Sequence, residues 1–164
     1  MAILHSSLTA AALLLMSSTS LIARDETCGG MNSSDLKIYE QFWSYVTPEL
    51  ASNCILAGTD ANHINLWGLS ALSGAIEFSK NPDVVKTLLS KGADANLKGV
   101  IQSTHLHQAT QHNPFNEETD VIKLLLAAGA NVNATDEFGV TPLYLASLKS
   151  NPAVLKVLLK AGAD

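Results

Sequence analysis

Three histidines close together in the chain, His105, His107 and His112, are the side chains best suited to hold a metal ion. Helical metal sites pair ligands three or four residues apart, because those positions share one face of the helix. His105 and His107 are two residues apart and point to different faces, and no third ligand accompanies them. The sequence therefore predicts no metal site, and nothing in it calls for another cofactor.

The chain also lacks the motifs from which a catalytic site is usually built. It has no Gly-rich phosphate loop, no nucleophile elbow and no Cys-x-x-Cys pair. We therefore predict that the protein is not an enzyme. Its net charge of −5, with ten scattered basic residues, does not favour nucleic acid or an anionic membrane surface as a partner.

The two cysteines, Cys28 and Cys54, allow two interpretations. In an oxidising compartment they would form a disulfide that ties the N-terminal arm to the first helical unit. Alternatively, Cys54 is a small buried apolar residue, since later segments carry leucine at the matching position. Both interpretations stay open at this point.

Residues 1–23 contain no Lys, Arg, Asp or Glu, and an apolar run extends from Leu8 to Met16. This run is too short to cross a bilayer, which takes about 20 apolar residues, but it matches the apolar region of a signal peptide. Small residues follow it up to Ala23, where we expect cleavage. We predict export to the periplasm or the exterior, and the alternative is an uncleaved N-terminal membrane anchor.

The rest of the chain is repetitive. Four similar segments begin with glycine, at residues 58–62, 92–96, 129–133 and 162–164, with spacings of 34, 37 and 33 residues. A hydroxyl side chain stands twelve positions after each of the first three glycines, at Ser70, Thr104 and Thr141. Apolar residues at helical spacing lie between these marks, and a helix pair of this size buries its apolar face only by stacking on neighbouring pairs.

Capping residues mark the ends of the predicted helices. A capping side chain precedes a proline at Thr47, Asn81, Thr141 and Asn151, which is typical of a helix start. The repeated glycines suit the left-handed position just after a helix end. The first unit is atypical and presents Leu36, Tyr39, Trp43 and Val46 on one helix face.

These motifs resemble the ankyrin repeat, with its T-P-L-H-x-A and L-L-x-x-G-A-D patterns. The closest match is the stretch 136–143, and the resemblance extends over residues 35–164. It implies an all-α solenoid of stacked helix-turn-helix units, at about 35–62, 63–96, 97–133 and 134–164, after a linker at 24–34. Gln102 replaces the turn glycine of the pattern, and Gly99 replaces the turn aspartate.

In ankyrin arrays the turns between repeats project as fingers that contact partner proteins, and the family's histidine, here His107, hydrogen-bonds the neighbouring turn. The resemblance implies that the finger tips here are Leu66, Trp67, Val100, Ile101, Glu137 and Phe138. A row of large apolar tips favours a protein interface, with tryptophan a frequent contributor. The alternative is that each tip packs sideways onto the next finger.

One unit carries an insertion, residues 111–120, which is acidic and includes Phe115. We expect a solvated acidic loop here, or alternatively a contact site for a basic partner.

The expected function is non-catalytic protein binding outside the cytoplasm, through the finger tips and the adjoining concave face. A second hypothesis is an exported inhibitor or immunity protein that blocks an enzyme or a toxin. A third is an accessory factor for an envelope enzyme.

Overall fold

A computed structural model describes residues 28–79, 81–111, 119–149 and 151–164. Within these ranges the chain forms α-helices and 3-10 helices and no strand, which confirms the predicted all-α class. The α-helices are α1 (Leu36–Tyr45), α2 (Pro48–Leu56), α3 (Ala71–Phe78), α4 (Pro82–Ser90), α5 (His105–Gln111), α6 (Asp120–Ala127), α7 (Pro142–Leu148) and α8 (Pro152–Lys160). The 3-10 helices are Gly29–Asn32 and Val100–Gln102. The predicted signal peptide and most of the acidic insertion lie outside the described residues.

The helices stack in two rows. In the inner row, α1, α3, α5 and α7 contact one another in that order, and in the outer row α2, α4, α6 and α8 do the same. Contacts within the pairs α3 and α4, α5 and α6, and α7 and α8 join the two rows. The predicted solenoid of stacked helix pairs is therefore confirmed. None of the helices in the described part of the chain has the length and hydropathy of a membrane span.

The predicted capping residues begin and end the helices. The Thr47 and Thr141 hydroxyls each accept a backbone N–H at 3.2 Å, and the Asn81 side chain accepts that of Asp83 at 2.9 Å. The glycines that follow the outer helices all have positive φ, between 86° and 100°, as a left-handed helix end requires. These residues are Gly58, Gly92, Gly129 and Gly162. The helices that carry these caps therefore begin where the residue types predict, and the outer helices end just before the predicted glycines.

The first helix packs through aromatic side chains. Tyr39 and Trp43 on α1 are fully buried, and Tyr39 makes edge-on ring contacts with Trp43 and with Phe78 of α3. The Trp43 ring lies directly against Gly74 of α3, so close that a Cβ on Gly74 would lie 2.2 Å from Trp43 Cδ1. The absence of a side chain at Gly74 therefore lets α1 pack closely on α3.

Residues 28–34, called here the N-terminal segment, pack on α1, although the sequence predicts only a linker there. The 3-10 helix Gly29–Asn32 contacts α1, and Met31 is fully buried. Gly30 lies against the Phe42 side chain, where an added Cβ would lie 2.7 Å from the Phe42 Cβ and 3.0 Å from the ring. The sequence pattern does not predict this packing because the segment is too short and too glycine-rich to have a helical periodicity.

Asparagine side chains join successive units on the side where the outer helices end. Asn62, Asn96 and Asn133, called here the asparagine ladder, each donate to the carbonyl of the next unit's glycine, at 3.0, 2.9 and 3.2 Å. Each also accepts a backbone N–H two residues beyond that glycine, at 2.8, 2.7 and 3.1 Å. Sequence reasoning missed this role, although an asparagine stands four positions after each of the first three repeated glycines.

Candidate functional site

Three turns project between the units and are called here the first finger (residues 65–69), the second finger (99–103) and the third finger (136–140). In the first finger, Asn65 Oδ1 accepts the Trp67 and Leu69 amides, both at 3.0 Å. In the third, Asp136 Oδ1 accepts the Phe138 and Val140 amides, both at 2.9 Å. The side chain that begins each of these turns therefore holds its backbone.

The second finger has a different internal structure. Gly99 has no side chain with which to accept the turn amides, although its own amide donates to the Ser103 carbonyl at 2.9 Å, as the first residue of each other finger does to the fifth. Ile101 and Gln102 both adopt the left-handed conformation, with φ of 54° and 58°, which side chains disfavour. Gln102 thus keeps the left-handed conformation of the glycine that it replaces, and the backbone of this finger differs from the others at Ile101.

The three fingers lie side by side and contact their neighbours. Trp67 Nε1 donates to the Ser34 carbonyl at 2.8 Å, so the first finger rests on the N-terminal segment. The Val100 side chain lies against Gly68, and the Glu137 amide donates to the Ile101 carbonyl at 3.0 Å. The finger backbones are therefore fixed relative to one another.

The predicted tips are nevertheless open to solvent. Leu66 and Phe138 are 88% and 71% exposed, and the exposures of Trp67, Val100 and Ile101 lie between 44% and 58%. Glu137 is exposed as well. Trp67 and Val100 each pack on a neighbouring part of the protein with one part of the side chain and expose the rest to solvent. Each therefore both packs sideways and forms an exposed tip. Leu66 and Phe138 are the most exposed apolar side chains of this row.

A groove of about 260 Å³ lies between the first two fingers and the inner helices α3 and α5. Leu69, Val100 and Ile101 supply apolar walls, and the hydroxyl and amide groups of Ser73 and Gln108 supply polar ones. Gln108 Nε2 donates to the Ser73 carbonyl at 3.2 Å and to Glu77 Oε2 at 3.1 Å. The groove therefore continues the apolar row of the tips onto the helix surface.

His107 supports the fingers from within. His107 Nε2 lies 2.9 Å from the Val140 carbonyl, which only accepts, so this nitrogen carries a proton and donates. His107 Nδ1 accepts the Thr104 amide at 3.3 Å and contacts its hydroxyl at 2.8 Å. The histidine therefore links the start of α5 to the third finger, as the resemblance implies.

His105 is buried between two units. Its Nε2 shares a hydrogen bond of 2.8 Å with the Ser70 hydroxyl at the start of α3. Burial lowers the pKa of His105 to about 4, against the opposing influence of the Ala95 backbone and the Asp94 carboxylate. His105 is therefore neutral at pH 7. No group of three or more potential metal-ligating side chains lies together within the described ranges, and His112 is outside them.

Cys28 and Cys54 form a disulfide. Cys54 is on α2 and fully buried, and Cys28 begins the N-terminal segment. The bond thus joins the segment beneath the first finger to the first outer helix.

Comparison with known proteins agrees with the repeat pattern. A family model described as ankyrin repeats, in three copies, matches residues 47–136 and 72–164. Together these matches cover well over half of the chain, from the start of α2 to the last residue. No curated protein matches the chain.

Proposed function

The chain belongs to the ankyrin repeat family, whose repeats serve as protein interaction modules, and we propose that it is an exported, non-catalytic module that binds a protein partner. The binding surface consists of the three finger tips and the groove beside them. No cofactor takes part in this binding.

The exposed apolar row at the finger tips carries the proposal. Such rows are usually buried in an interface, because apolar surface removed from water stabilises a complex. Leu66 and Phe138 stand at its two ends, and the half-exposed Trp67, Val100 and Ile101 lie between them. The hydrogen bonds within and between the fingers hold the finger backbones in place, so little backbone conformational entropy is lost on binding.

Two observations support export. The uncharged segment 1–23 has the apolar run and the small residues of a signal peptide. Cys28 and Cys54 lie at bonding distance, and disulfides persist in oxidising compartments outside the cytoplasm. We expect the exported protein to begin near Arg24, which mass spectrometry of the periplasmic and extracellular fractions checks. An intact N-terminus in a membrane fraction would instead indicate an anchor.

The binding surface is tested by capture of partners from the exported fraction with two matched double variants. Leu66→Ser/Phe138→Ser removes two exposed finger tips, and Leu56→Ser/Leu159→Ser removes two leucines of 72% and 57% exposure from the outer helices. We expect the finger variant to bind roughly 30-fold more weakly, as the loss of about 2 kcal/mol from two apolar contact residues implies. The outer-helix variant keeps wild-type binding.

Both variants keep nearly the wild-type melting temperature, because exposed substitutions change stability by about 0.5 kcal/mol or less. Equal capture by the wild type and the finger variant would refute the proposed surface. If the captured protein is an enzyme or a toxin, its activity in the complex shows whether this chain also inhibits it.

A further inference from the structure

The N-terminal segment forms the support on which the first finger rests. Trp67 Nε1 donates to the Ser34 carbonyl, and Asn65 Nδ2 donates to the Ser33 carbonyl, both at 2.8 Å. Asn65 is buried, and its Oδ1 also holds the turn of the first finger. The position of residues 33 and 34 therefore sets the position of the finger.

The non-covalent contacts of this segment with α1 and α3 come from its short 3-10 helix, Gly29–Asn32. Met31 supplies its one large buried apolar side chain, and Asn32 Nδ2 donates to the Asp60 carbonyl at 2.8 Å. A short 3-10 helix that begins with two glycines has little stability of its own. The segment is fixed at one end by α1, which begins next to it, and at the other by the bond from Cys28 to Cys54.

We propose that oxidation of Cys28 and Cys54 completes the first finger, so that the partner surface is fully formed only after the disulfide has closed. The two thiols lose two electrons and two protons and form one S–S bond, and a disulfide oxidant takes up both and becomes a dithiol. In the reduced chain the segment leaves α1, Trp67 loses its acceptor, and the first finger moves freely. This inference rests on the proposed function, since it concerns the same surface.

The purified full-length chain provides a test that needs no partner. Its two tryptophans give two indole N–H signals in nuclear magnetic resonance spectra, and Trp67→Phe identifies that of Trp67. We expect the Trp67 indole to exchange with solvent at least tenfold faster in Cys28→Ser/Cys54→Ser, and in the wild type reduced with dithiothreitol. The Glu137 amide, bonded to Ile101 far from the disulfide, serves as the internal control and changes less than twofold.

A matched variant separates the local effect from a general loss of stability. Leu158→Ala removes a fully buried side chain from α8 and leaves the disulfide intact, so the Trp67 indole keeps its wild-type exchange rate. Three results would overturn the proposal: unchanged Trp67 exchange in the cysteine variant, an equal rise at Trp67 and Glu137, or loss of the helical circular dichroism of that variant. The last two would make the disulfide a support of the whole array.

The exchange measurement and the capture experiment test the two proposals independently. If capture is insensitive to Leu66→Ser/Phe138→Ser, the binding surface is wrong, but the exchange measurement still decides whether the disulfide positions the finger. If Trp67 exchange is insensitive to the disulfide, the inference fails, and the capture result is unaffected.

Discussion

Ile101 and Gln102 place two consecutive non-glycine residues in the left-handed region, with φ of 54° and 58°. In the first and third fingers, glycines at positions 68 and 139 occupy that region, with φ of 74° and 75°. A side chain there costs about 1 kcal/mol because its Cβ crowds the neighbouring carbonyl oxygen. The strain lies at a finger tip that we propose contacts the partner.

Gln102→Gly is expected to stabilise the protein by about 0.5 to 1 kcal/mol, because glycine adopts this conformation without the Cβ clash. Urea unfolding measures the change. Ser103→Gly is the control, since Ser103 has an ordinary φ of −70° and glycine there only adds freedom to the unfolded chain. Destabilisation by both substitutions would show that the left-handed conformation is not strained.

His105 makes the stability depend on pH. Its pKa is about 4 in the folded protein against 6.5 in an unfolded chain, so between these values the unfolded state binds more protons. Stability therefore falls as the pH decreases from 6.5 to 4, by up to about 3 kcal/mol, and this contribution is constant above pH 6.5. The contribution of His105 is measured by urea unfolding of the wild type and of His105→Gln between pH 4 and 6.5. If the difference in the free energy of unfolding between the two proteins does not change with pH, the predicted role of His105 is wrong.

At the scale of elements, the contact between α1 and α3 combines a large aromatic side chain with a glycine. Trp43 occupies the space above Gly74, and the Phe42 ring packs edge-on against Trp43 at 5.0 Å between centroids. The repeat pattern does not describe this contact, because α1 belongs to the atypical first unit. It joins the N-terminal unit to the regular array.

Gly74→Ala is expected to destabilise the protein by about 1 to 3 kcal/mol, because the added Cβ would overlap the Trp43 ring and force the two helices apart. This loss exceeds the roughly 1 kcal/mol that alanine gains over glycine within a helix. Gly29→Ala is the matched control, since no atom lies within 4 Å of its added Cβ. Thermal and urea unfolding measure the stability of both variants. Stabilisation by Gly74→Ala would mean that α1 does not pack this closely.

At the scale of the whole molecule, burial is uneven along the array. α3 buries six of its eight residues, whereas α7 buries two of its seven. α3 has inner-row neighbours on both sides, α1 and α5, whereas α7 contacts only α5 within its row of the described chain. In a linear array each unit is stabilised by its neighbours. We therefore expect α3 to have a higher local stability than α7.

Amide exchange is expected to be at least tenfold faster in α7 than in α3, a difference of about 1.4 kcal/mol in local opening free energy. Hydrogen exchange followed by mass spectrometry measures both helices in one experiment. Equal rates would show that the chain opens only as one cooperative unit.

The sequence alone determined the repeat, because the spacing of glycines, capping residues and apolar positions is local and periodic. The helix ends and the class of fold follow from that spacing, and the place of the fingers follows from the resemblance to ankyrin repeats. Tertiary structure decided the rest: the docking of the N-terminal segment beneath Trp67, the contact of Trp43 with Gly74, and the backbone of the second finger. The first two features join residues about 30 positions apart without a repeating signal, so only the packed chain determines which of them meet. The third depends on two consecutive left-handed residues within one turn.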